Sequence, residues 1–364
     1  MSLFALVNGK VFEQALSISV RRSLRNLVSW FDLTASADEN EALPIVAGDR
    51  IEIVDDARDK LFTGFVEELS VSQSADDHTI RISGRDLAAD LVDSSLKVKS
   101  YNGPIGLEDL IKKVIGDQGL SLSVVSEAGS LNQLKASDLV NGEVGETAFG
   151  FLEKYARHVQ AVLTSNGKGE IVILRAGPRE GSFSILRQAG NEESNVLSSS
   201  IRINTSGRFR DYSCKSQLSP AGKKSSILSK EIEDQGGTAT DKDARAGRFY
   251  EFETETSADS LTCADRAKLE SNVRRAASFE YTATVQGIPE GLGINRLIAA
   301  RDDLCKVNSV LLVTDLDHDF DLDGGTTTTL RMSYRDAFTL EESVARDDAT
   351  RSETAEPLIK LGGR

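Results

Sequence analysis

The sequence predicts a mainly β protein with an α+β middle domain, and two observations carry that reading. The first is a block that occurs twice. Residues 48–53 (GDRIEI), 61–66 (LFTGFV) and 79–88 (TIRISGRDLA) have counterparts at 294–299 (INRLIA), 309–314 (SVLLVT) and 328–337 (TTLRMSYRDA). In each copy a strand-like run closes on Ser-x-Arg-Asp, at Arg85 and Asp86 and again at Arg335 and Asp336. The second is a change of hydrophobic period between the copies, from alternation to a helical stripe. Two copies fall short of a solenoid, but they suit an assembly in which one chain fills two equivalent places.

Residues 3–100 read as β. Asn8-Gly9 between two apolar runs is a strong hairpin signal. Ala15–Val20 and Asn26–Thr34 alternate apolar with polar, and Arg50–Val54, Phe62–Ser72 and Thr79–Ser83 complete five or six short strands. That spacing suits a small barrel or a sandwich. A short helix is expected from Asp86. Leu107, Leu110, Ile111, Val114 and Ile115 form one helical stripe, and Phe149, Leu152, Ala156 and Val159 another. A hairpin over 161–175 turns at Ser165–Gly169. Val196–Asn204 and Asp211–Leu218 read as strands. Pro220–Gly247, rich in Ser, Lys, Gly, Thr and Asp, reads as a long loop or mobile insertion. A helix over 262–277 and a strand over 278–287 lead into the second copy. The expected divisions are 1–90, 91–180, 181–338 and a polar tail 339–364, too poor in apolar residues to fold alone. The tail ends in the apolar tag Leu358, Ile359 and Leu361, a candidate partner-docking peptide.

Composition narrows the function classes. The 364 residues carry a formal charge of −14, which disfavours stable binding to nucleic acid or to an anionic membrane. Such a protein would repel DNA sliding past it. No stretch approaches the ~20 apolar residues of a membrane span, and the start lacks the pattern of a signal peptide. Three widely spaced Cys fit reduced thiols rather than a disulfide framework, in a chain made in a cytoplasm.

Catalytic signals are thin. His78, His158 and His318 are the three histidines, and none adjoins a nucleophile elbow or a His-Glu-x-x-His pair. Phosphate-binding glycine loops are absent, and no cofactor is expected. The sharpest local feature is an acidic run, Asp315, Asp317, Asp319, Asp321 and Asp323. Its second half begins like a calcium loop, but the position of the bidentate acid holds Leu330. The alternative is a strand with its acids on one face, open to solvent or to a water-filled lumen. The lumen reading is favoured. Arg85, Asp86, Arg335 and Asp336 admit two readings: a local helix cap or matched ion pairs between subunits.

The segments LFTGFV (61–66) and ISGRDLAADLVDSS (82–95) resemble the baseplate hub proteins of Mu-like contractile-tailed phages. So do the Arg- and Ala-rich helix before Ser278–Gly287 and the late run GTTTTLRMSYRDAF (325–338). The resemblance runs in order from about residue 4 to residue 340. It implies a homotrimer in which each chain gives two similar small β-barrel domains, so that three chains make a pseudo-sixfold ring. That ring would join a hexameric tail tube to a threefold central spike and line a channel for DNA and the tape-measure protein. The expected location is the virion, in the tail baseplate, assembled in the host cytoplasm. The hub module of type VI secretion spikes is similar. Two other readings remain: a tail enzyme acting on cell-surface polysaccharide, and a calcium-dependent adhesin.

Overall fold

The computed structural model describes residues 2–335 and 337, apart from 37–44, 74–77, 99, 137–138, 140, 176–179, 189–193, 217–235 and 255–259. The chain opens with the expected hairpin. Strands β1 (Leu3–Val7) and β2 (Lys10–Phe12) flank Asn8 and Gly9, both at positive φ (48° and 81°), as a tight two-residue turn requires. Then come β3 (Ala15–Ser23), β4 (Trp30–Ser36), β5 (Arg50–Asp55), β6 (Lys60–Gln73) and β7 (His78–Asp86).

The middle section contains α1 (Ala89–Asp93), α2 (Leu107–Gln118), β8 (Val124–Ser126), α3 (Ala148–His158), β9 (Val162–Ser165) and β10 (Ile171–Leu174). The α2 stripe is buried as its spacing requires, and Gly119 in the left-handed region ends the helix. In α3 the buried face is shifted. Phe151 and Tyr155 are fully buried beside Leu152 and Ala156, whereas Phe149 is only partly covered. Thr147 caps this helix through its side chain, accepting from the Gly150 amide at 3.0 Å.

The last part contains β11 (Glu180–Arg187), β12 (Val196–Ile203), β13 (Asp211–Lys215), β14 (Gly236–Thr240), β15 (Phe249–Glu253), α4 (Ser260–Ala277), β16 (Phe279–Gln286), β17 (Leu297–Asp302), β18 (Val307–Asp321) and β19 (Gly325–Tyr334). Part of the expected 220–247 loop is therefore ordered structure. β14 pairs with β13, and Asp241 is buried against Arg208. Polar composition concealed this because β14 (GGTAT) packs by being small. A Cβ on Gly237 would stand 2.0 Å from the Ala264 amide nitrogen, so α4 rests directly on its backbone.

Two separate barrels were expected, and the strand pairing corrects this. Among the described residues neither half closes a ladder on itself. One 13-stranded sheet runs through both, in the order β12-β16-β19-β18-β3-β4-β7-β6-β5-β1-β2, with β17 beside β18 and β11 beside β17. The cause is the length of β18. Its first half, Val307–Leu312, pairs with β17; its second half, Asp315–Asp321, outruns that partner and pairs antiparallel with β3.

Five strands of one half correspond to five of the other. β3, β4, β7, β6 and β5 correspond to β12, β16, β19, β18 and β17. The register slips between Val66 and Glu68 opposite β7, and between Val313 and Asp315 opposite β19. It slips between Ala15 and Ser17 opposite β4, and between Val196 and Ser198 opposite β16. Such irregularities mark defined positions in a strand pair, so their recurrence aligns the halves residue by residue. Gly84 and Met332 lie at the same step, so Arg85 corresponds to Ser333. The two Ser-x-Arg-Asp motifs are thus two residues out of step.

Candidate functional site

Side chains alternate across a strand, so each strand of a half-buried sheet offers one face to the core and one outward. On β18, Leu316, His318 and Phe320 face the core, while Asp315, Asp317, Asp319 and Asp321 share the outer face. The outer face continues through Ser17, Ser19 and Arg21 of β3, Trp30, Asp32 and Thr34 of β4, and Arg81, Ser83 and Arg85 of β7. In the other direction it continues through Thr327, Thr329 and Arg331 of β19 and Thr282 and Thr284 of β16. The result is a broad polar surface of short hydroxyl side chains with charges set among them.

The acids do not stand alone on it. Arg331 donates to Asp317 at 2.8 Å, and Ser19 Oγ donates to Asp319 Oδ1 at 2.6 Å. Thr314 Oγ1 donates to Asp315 at 2.7 Å, and Arg21 lies 4.0 Å from Asp32. Asp317 is 7% exposed, and burial raises its carboxyl pKa against the pull of Arg331. The uniformly acidic strand expected from the sequence is thus an acidic row answered by arginines on neighbouring strands. Asp323 leaves the row altogether. It sits in the β18–β19 turn, where Asp321 Oδ1 accepts from the Asp323 and Gly324 amides.

The four Arg and Asp positions separate. Arg85 is held within its own chain by Glu67 (2.8 Å) and Asp93 (3.0 Å), and these hydrogen bonds, Asp93 foremost, raise its pKa. Its fork is occupied within its own chain. Asp86 is 1% exposed, with its carboxylate turned into its own chain. Its Oδ2 accepts from the Ser29 amide at 2.8 Å and from the Ser165 hydroxyl, and its Oδ1 accepts from the Ala88 amide at 3.0 Å. Ala88 itself precedes α1 without a side-chain cap, so Asp86 closes the turn before the helix rather than capping it. Burial raises the Asp86 pKa and its hydrogen bonds oppose that. Arg335 is exposed at the end of β19. Asp336, Leu358, Ile359 and Leu361 lie outside the described residues.

The node around Asp86 was not legible in the sequence. Ser165 belongs to the middle section, and its carbonyl accepts from Arg22 of β3 at 3.3 Å. Thr63 donates to the Gly167 carbonyl at 3.1 Å. A Cβ on Gly167 would stand 2.5 Å from the Lys60 carbonyl oxygen, so only glycine lets the β9–β10 turn dock against β6. The one available signal was the Ser-Asn-Gly-Lys-Gly turn, which reads equally well as an exposed hairpin tip.

A family model described as the Mu phage baseplate assembly protein GpP-like N-terminal domain matches residues 3–86, and one for the second domain of baseplate hub protein gp44-like matches 88–175. Baseplate hub protein gp44 of Escherichia phage Mu is 24% identical over 284 residues, covering 77% of this chain and 72% of that protein. The chain belongs to the Mu-like baseplate hub proteins. The hub shares its fold with the 43 kDa tail protein of prophage MuSo2 from Shewanella oneidensis (22% identity, TM-score 0.77, covering 92% of this chain and 99% of that one). The E. coli type VI secretion component c3393, described as similar to T4 tail proteins gp27 and gp5, has a TM-score of 0.58 at 12% identity and covers 93% of the hub and 79% of its own chain. The hub is a structural protein of a phage tail baseplate. No helix among its described residues is long and apolar enough to cross a membrane.

Proposed function

We propose that three copies of this hub form a ring of six equivalent sheet units, joining a sixfold tail tube to a threefold central spike. One observation carries the reading. A single chain holds two units that share a five-strand order and two register irregularities, already joined side by side through β18 and β3. One such chain occupies two of six equivalent places, so three chains satisfy a sixfold neighbour on one side and a threefold neighbour on the other.

In this reading residues 1–90 and 181–338 are the two ring units, 91–180 is the middle domain braced against the first, and 339–364 is a tail that docks a partner. The outer sheet face lines the channel. Its hydroxyls and internally paired charges leave few free cations to hold DNA, consistent with passage without stable binding. The partners are further copies of the hub, the spike, the tube or its initiator, and the tape-measure protein.

Light scattering on the purified chain tests the copy number. A mass near three times 39.4 kDa, about 118 kDa, is the expected outcome. A mass of 39.4 kDa at every concentration would show that the chain alone does not make the ring.

A further inference from the structure

The chain carries a formal charge of −14, yet one concave surface reverses that sign. It lies beside the small sheet of β13, β14 and β15, a cavity of about 600 Å³ lined by Asn204, Ser206, Arg208, Asp243, Arg245 and Arg248 among others. Arg208 is committed to the buried Asp241, with hydrogen bonds as short as 2.7 Å. Arg248 donates to the Ser206 carbonyl at 2.6 Å and lies 4.7 Å over the Phe209 ring. Arg245 is exposed and makes no hydrogen bond or ion pair among the described residues. Arg210 reaches the same loop, donating to the Lys242 carbonyl at 2.7 Å. Arg210, Lys242, Arg245 and Arg248 thus gather here without a carboxylate partner among the described residues, against one lining acid, Asp243. Arginines with open forks are built to take carboxylates.

The cavity also stands beside the point where the chain leaves the sheet. Ser333 Oγ donates to the Ala276 carbonyl at 2.8 Å, the Arg275 guanidinium lies 4.9 Å over the Tyr334 ring, and Ala337 is buried in one cluster with Ala276. From the same turn of α4, Arg274 reaches the other way, 5.2 Å over Phe209. Just past the helix, the Asn204 amide donates to the Ser278 carbonyl at 2.8 Å. The width of one helix, about 10–12 Å, therefore separates the exit of the chain from the cavity. Beyond Ala337 the sequence carries Glu341, Glu342, Asp347 and Asp348 against the single base Arg346. Extended chain covers up to ~14 Å by Glu341 and up to ~40 Å by Asp348, so the reach is sufficient.

We propose that the acidic stretch 341–348 docks in this cavity of its own chain, with its carboxylates on Arg245 and Arg248. Each exposed ion pair is weak alone, but the tether makes every contact after the first intramolecular. The mooring needs neither a ring nor a second copy, so it stands apart from the reading of the assembly. The tag Leu358, Ile359 and Leu361 lies beyond the moored stretch and stays available to a partner.

Limited trypsin digestion of the full chain, read by mass spectrometry, tests this by comparing cleavage after Arg346, inside the stretch, with cleavage after Lys360, beyond it. At low salt, cleavage after Arg346 is expected to be about 3–10-fold slower in the wild type than in Arg245→Gln with Arg248→Gln, because cutting samples the undocked fraction. Cleavage after Lys360 stays the same in both. Glu341→Gln with Glu342→Gln also speeds the cut after Arg346, and combining the two pairs gives less than the product of their separate effects. Arg245→Gln alone, at an exposed position, shows part of the effect with an unchanged melting temperature, which separates undocking from unfolding. High salt removes the protection, and dilution of the chain leaves it unchanged. Protection that vanishes on dilution places the stretch on another copy, and protection that survives Arg245→Gln with Arg248→Gln places it elsewhere. Either outcome overturns the proposal, as does equal cleavage after Arg346 in every variant.

Discussion

At the scale of single residues, His318 shows how position overrides type. Its strand parity placed it opposite the acids, toward the core, and the structure buries it to 3% exposure with Nδ1 3.0 Å from Thr328 Oγ1. Burial first, and then the nearby Arg22 charge, hold its pKa down to about 4 against an ordinary 6.5. The folded value lies below the unfolded one, so the unfolded chain binds the proton first on acidification. The stabilisation from neutral His318 is complete above pH 6.5 and is lost as pH falls toward 4, in all on the order of 3 kcal/mol. The carboxyls of Asp86 and Asp317, both raised by burial, act in the opposite sense, so the measurement is a difference. Chemical denaturation of the wild type and of His318→Gln across pH 4 to 7 is expected to show a flatter acid limb in the variant. Equal limbs would mean that His318 protonates in place without cost. Sequence reasoning placed the alternating acids on one face but missed that Asp317 is covered and that Asp323 belongs to the turn, because both depend on neighbouring strands.

At the scale of elements, length and spacing were legible where a pattern is local. The α2 stripe, the Asn8-Gly9 hairpin and the 262–277 helix all follow from sequence period and turn chemistry. β14 was not legible, because its residues are small and polar and its place is set by contact with α4. Around it Tyr212, Tyr250, Phe209 and Phe252 form a compact aromatic cluster, with the Arg274 guanidinium 3.9 Å over the Tyr250 ring. Gly237→Ala is expected to push α4 off the small sheet and lower stability by about 1–3 kcal/mol, the usual cost of overpacking. Urea titration reads this directly. An unchanged midpoint would show that α4 can shift away at no cost.

At the scale of the whole molecule, the question is what makes the sections one body. The strand junction of β18 and β3 joins the two halves, and the Asp86 node joins the first half to the middle section through Ser165 and Arg22. Asp86→Ala would leave the Ser29 and Ala88 amides and the Ser165 hydroxyl buried without their acceptor, with Arg22 nearby. The expected loss is about 3 kcal/mol, a typical value for breaking a buried polar cluster from one side. It should appear as a shift of the main unfolding transition in calorimetry, with the middle section melting together with the sheet. A separate early transition would instead show that the middle section hangs on the sheet through other contacts.

The amino-acid sequence by itself determined the duplication, the β character of both ends, the helical stripes between them and the alternation of acids along β18. These are local or periodic properties, written in neighbouring residues. Only the tertiary structure decided that the two units share one sheet, that the repeated Arg-Asp motifs are two residues out of step, and that Asp86 is buried in its own chain. Strand partners and register depend on residues far apart in the chain, such as Asp317 and Arg21 or Asp86 and Ser165, and no local pattern records which edges meet.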